Sequence, residues 1–65
     1  MDTYFIRVIR VKASFTDLHK IWLETPRGAV VLLASGVPYS AVKTIVTAVR
    51  EALHEVNPDI KIESI

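Results

Sequence analysis

Apolar and polar positions alternate along only part of this chain, and the places where alternation fails carry information. Residues 4–12 (YFIRVIRVK) are dense in β-branched and aromatic side chains, which suit a pleated strand. Successive strand side chains face opposite ways, so Phe5, Arg7, Ile9 and Val11 share one face, and Tyr4, Ile6, Val8, Arg10 and Lys12 share the other. Each face is mostly apolar. Either a bulge shifts the register partway, or both faces are partly covered. Residues 29–34 (AVVLLA) go further, with an apolar side chain at every position. A strand built from them asks for cover on both sides.

Residues 15–24 admit two readings. Ser14 followed by Asp17 fits a capping box, and Phe15, Leu18 and Trp22 are spaced for one face of a short helix. Ile21, Trp22 and Leu23 instead favour a strand, and Thr25-Pro26-Arg27-Gly28 fits a hairpin turn. In that turn Pro26 pre-sets the first corner and Gly28 supplies the positive φ that closes it. The complete turn chemistry favours the hairpin.

Residues 37–56 give the clearest pattern in the chain. Ala41, Val42, Ile45, Val46, Ala48, Val49, Ala52, Leu53 and Val56 fill one broad arc of a helical wheel, with polar residues opposite. Gly36 and Pro38 suit the start of this helix, Ser35 stands where it would cap it, and Asn57-Pro58 suits its end. Ile60 and Ile62 then alternate with Lys61 and Glu63 as a short, half-exposed strand, from which Ile65 departs. The expected fold is therefore α+β: one compact domain over residues 1–65, with a small, mostly antiparallel sheet and one long helix on one face, in the order βββαβ. A short helix at 15–24 would change the order to βαβαβ.

Composition sharpens the problem of cover. A chain of 65 residues buries only about 60% of its unfolded surface, yet 51% of these residues are hydrophobic. One helix can roof one sheet face, and the other is left for a second copy. A homo-oligomer, most simply a dimer, is expected, with Trp22, Val30 and Leu32 on the associating face. The absence of cysteine removes disulfides and thiolate chemistry and fits a reducing, cytoplasmic setting. No segment reaches the ~18 apolar residues of a membrane-spanning helix, and Met1-Asp2-Thr3 lacks the basic start of a signal peptide.

Eight basic against seven acidic residues give a net charge of +1, which carries no global signature of nucleic-acid binding. Five of the basic residues fall within the first 28 positions. Arg7, Arg10, Lys12, Lys20 and Arg27, with Tyr4 and Trp22 among them, would make a basic and aromatic sheet surface able to hold single-stranded bases. On the helix, Lys43, Thr47, Arg50 and His54 form a stripe suited to an acidic protein or an anion, although Glu51 and Glu55 lie close by. Those two glutamates oppose the helix macrodipole. Glu51 and His54 have the Glu-x-x-His spacing of carboxylate-bridged metal sites, but such sites need the pair repeated on a facing helix. The start of the helix, with Ser35, Gly36 and Ser40, offers free N–H groups to an anion but lacks a glycine-rich phosphate loop. No nucleophile elbow or recognisable pair of acids is present. These patterns point to a non-enzymatic protein–protein interaction module, accessory, regulatory or inhibitory, without metal or cofactor. The alternative is a nucleic-acid-binding accessory protein.

Overall fold

The computed structural model describes residues 3–12 and 17–64. Its elements are β1 (Thr3–Lys12), β2 (Asp17–Glu24), β3 (Val30–Pro38), α1 (Tyr39–Val56) and β4 (Lys61–Ser64). They form a four-stranded sheet in the order β3-β2-β1-β4 with one helix on it, the expected βββαβ arrangement. β1 pairs antiparallel with β2, and β2 with β3, whereas β4 lies parallel to β1. The parallel pair follows from the connection: α1 carries the chain from one edge strand to the other across a single face.

Residues 17–24 are a strand, so the helical alternative fails there. Ser14 and Phe15, which carried half of that alternative, lie outside the described residues, as do Met1, Asp2 and Ile65. The turn supplies the reason. The Gly28 N–H donates to the Thr25 carbonyl (2.9 Å), the Thr25 N–H donates to the Ala29 carbonyl (2.8 Å), and Gly28 has φ +87°. The Thr25 Oγ1 also accepts from the Ala29 N–H at 3.1 Å. A side chain at position 28 would be strained in this left-handed conformation. β1 holds an unbroken register with β2 from Phe5–Glu24 to Lys12–Asp17, so no bulge explains the two-sided character of β1.

The shift of register occurs instead in β3. Its pairing with β2 slips between His19 and Ile21 and again between Ile21 and Trp22. Gly36 lies in the first of these irregular stretches with φ +63°, so the glycine expected to start the helix bends a strand. Val37 and Pro38 accordingly complete β3, and α1 begins two residues later than its apolar pattern suggests. Pro38 is the N-cap and no side chain caps the helix, so Ser35 does not play that part. At the other end, the Asn57 N–H donates to the Leu53 carbonyl (3.0 Å) and the Ile60 N–H to the Asn57 carbonyl (3.1 Å), turning the chain into β4. The Asn57 side-chain oxygen accepts from the Asp59 N–H at 3.0 Å and tightens this turn.

The core is thin. Ile6 and Ile21 are fully enclosed, Val37 nearly so, and Ala41, Val42, Ile45, Val46, Val49 and Ile62 pack on them while remaining partly exposed. Among the described residues the only other buried apolar side chain is Ile60. No residue of α1 is buried. Ala48, Ala52 and Val56, which complete the apolar arc on the wheel, are exposed. The sheet therefore meets a narrower stripe of the helix than periodicity implies.

Candidate interaction surface

The strand registers define what lies on the face away from α1. Because Ile6, Ile21 and Leu23 belong to the core, the alternate residues of each strand point the other way. Arg7, Trp22 and Leu32 form one row across β1, β2 and β3; Phe5, Glu24 and Val30 form the next; Ile9 and Lys20 follow, then Val11, Leu18 and Pro38. The three residues expected at an interface, Trp22, Val30 and Leu32, are thus neighbours on one open face. Val30 is 58% exposed, Ile9 48%, Leu32 44% and Val11 41%. A shallow depression bounded by Arg7, Ile9, Trp22, Glu24 and Val30 marks the middle of this face. Arg7 Nη2 lies 3.1 Å from Glu24 Oε2 there. An exposed pair of this kind contributes only about 0–1 kcal/mol to stability, but it matches opposite charges inside a mostly apolar surface.

The first half of β3 is barer than one uncovered face implies. Val31 pairs with Leu23 and so lies on the helix side, yet it is 47% exposed; Leu33, where the pairing slips, is 37% exposed. The expectation that the long helix shields one side of Val30 to Ala34 therefore needs correction. α1 departs from Pro38, at the far end of β3, and crosses toward β4, so it never passes over Val30 to Leu33. β3 is also an edge strand, with one rank of backbone groups unpaired by the sheet. The two edges differ. β4 is four residues long and carries Lys61 and Glu63, two devices that blunt an edge, whereas residues 29–42 contain no charge at all. That uncharged run is the signal in the chain that could have revealed the edge.

The helix stripe does not stay together. Lys43 and Thr47 lie on the outer surface with Glu51, around a shallow depression that also includes Thr44 and Ala48. Arg50 instead donates to Ser64 Oγ on β4. The Nε2 of His54 lies 3.0 Å from the Ile60 carbonyl and, since a carbonyl only accepts, donates to it. Arg50 and His54 thus tie α1 to the C-terminal strand. Among the described residues no group of three or more metal-ligating side chains comes together.

The five basic residues of the N-terminal half are likewise dispersed. Arg7 and Lys20 lie on the open face, Arg10 and Lys12 alternate onto the helix side, and Arg27 occupies the hairpin turn. Arg10 is 3.7 Å from Asp17. Among the described residues no helix is long and apolar enough to cross a membrane. No family model, curated protein or solved structure matches the chain.

Proposed function

We propose that the protein is a small non-enzymatic interaction module that self-associates, burying the open sheet face around Trp22, Val30 and Leu32 against a second copy. The observation that carries this reading is the apolar open face, with Val30, Leu32, Ile9 and Val11 all exposed on it. The dimensions agree. A folded monomer of this mass exposes about 4,200 Å² on average; this chain exposes 4784 Å². Its radius of gyration is 12.5 Å, against about 10.7 Å for a compact chain of this length. Both depart from the compact values in the direction an uncovered sheet face would give.

A second copy suits the face in area and in charge. The Cα atoms span 41 × 22 × 14 Å, so the broad side offers on the order of 900 Å², close to the ~800 Å² per partner of a standard interface. Arg7, Lys20, Glu24 and Glu63 place both signs of charge on it, so a two-fold arrangement can set acid against base. A foreign partner would need no such balance. An accessory, regulatory or inhibitory role in a reducing compartment follows naturally from a cysteine-free module of this size.

Trp22 is the only tryptophan and reports on this face directly. Its fluorescence should resist an aqueous quencher at high protein concentration and become accessible on dilution. Equal quenching across the whole concentration range would contradict the proposal.

A further inference from the structure

On the helix side, away from the open face, a groove of about 470 Å³ lies between the β1–β2 pair and α1. Val8, Val42 and Val46 supply its apolar walls. Arg10 from β1, His19 from β2 and Lys43 from α1 supply three basic groups, and Tyr39 and Ser64 add hydroxyls. Among the described residues, no acidic side chain lines it. β1 and α1 thus each bring a cation to one apolar cleft that His19 also lines, in a chain whose total net charge is only +1.

The histidine is held in place. Its Nδ1 lies 3.2 Å from the Val37 carbonyl, to which it must donate, and its ring meets Tyr39 with centroids 5.8 Å apart. That bond commits Nδ1 as the donor, so Nε2 of the neutral ring is an acceptor and His19 shapes the groove wall without itself holding an anion. Asp17 beside Arg10 offsets part of the charge at the outer end. Lys43 lies nearer the start of α1, where the helix dipole adds positive potential and the first turn has no acidic residue.

We propose that this groove binds a small amphipathic anion: one carboxylate or sulfonate held by Lys43 and Arg10, with a compact apolar body against Val8, Val42 and Val46. Its volume falls within the ~300–1,000 Å³ typical of ligand sites, and apolar walls with a few convergent polar groups are their usual construction. Charge selects the occupant. A neutral apolar molecule gains the valines but leaves the two cations unanswered, and a polyanion finds only a short run of positive charge on this side, since Arg7 and Lys20 face the other way. The site is independent of the self-association proposed above, because it lies on the opposite side of the sheet.

The test is a titration with naphthoate, followed by amide and methyl NMR shifts on the full chain, beside a titration with the neutral naphthylmethanol. Naphthoate should shift Val8, His19, Val42 and Val46 saturably while Trp22 and Val30 stay still, and naphthylmethanol should bind distinctly more weakly. Lys43→Gln and Arg10→Gln should each weaken naphthoate binding about fivefold, a modest factor because both cations are partly hydrated, and Leu32→Asp should leave it unchanged. Equal binding of acid and alcohol would overturn the proposal, as would shifts centred on Trp22 or indifference to both charge substitutions. Loss of binding in Leu32→Asp alone would place the probe on the open face and overturn the groove while leaving self-association intact.

Discussion

Leu32→Asp separates folding from assembly. Were Leu32 enclosed within one chain, an aspartate there would be an unpaired buried charge and the fold would fail. In the isolated subunit, however, Leu32 is 44% exposed, on an edge strand and beside Trp22. The carboxylate keeps access to water, so the substitution should cost the monomer no more than about 1 kcal/mol, as surface changes do. The dimer pays far more. The exposed part of a leucine is about 80 Å², so its burial contributes about 2 kcal/mol at ~25 cal/mol per Å². A two-fold interface counts the residue twice, so about 4 kcal/mol is lost, roughly a thousandfold in dissociation constant. Desolvation of two carboxylates adds to this. Circular dichroism and thermal melting should report a folded variant, and sedimentation velocity a monomer where the parent chain associates. Either of two results would overturn this: a variant that associates like its parent, or one that is unfolded while Ile21→Asp, at a fully enclosed site, behaves no worse.

Two further predictions follow from the backbone and from charge. Gly36→Ala should lower stability by about 1–2 kcal/mol in a chemical melt, because Gly36 has φ +63° and an L residue is strained there although its Cβ would meet no atom within 4 Å; an unchanged midpoint would mean that β3 relaxes at no cost. A mixed single-stranded oligonucleotide pool should bind weakly even at low salt, since the basic residues point to opposite faces; tight binding that weakens steeply with salt would revive the nucleic-acid reading.

The outlines of the fold were legible where local chemistry is complete. Thr25-Pro26-Arg27-Gly28 contains every element of its turn, and the Ile60/Ile62 alternation marks the C-terminal strand without help from the rest of the chain. The start of α1 was not legible. Val37 suits a strand or a helix equally, and Gly36 can open a helix or bend a strand; only the pairing of Val37 with His19 decides it. The helical wheel shows which side chains share an arc but not how wide a sheet meets them, which is why Ala48, Ala52 and Val56 end in solvent.

Of the candidate surfaces, the grouping of Trp22, Val30 and Leu32 follows from strand parity once the hairpin register is known. Parity within β1 already separates Arg7 from Arg10, whereas Lys20 could be placed only after β2 was aligned with it. The helix stripe failed for a different reason. Spacing places Lys43, Thr47, Arg50 and His54 along one side of α1, but β4 and its approach lie within reach of the last two and take them into intramolecular bonds. The groove beside His19 had no sequence signal, since its two cations and its histidine come from separate elements.

This chain carries more apolar sheet than its own helix covers, and the proposed second copy would cover the open face. Sedimentation equilibrium over a wide range of concentration tests it most directly. The average mass should rise with concentration toward at least twice that of the chain. A mass that stays at one chain throughout, with a cooperative melt independent of concentration, would contradict it.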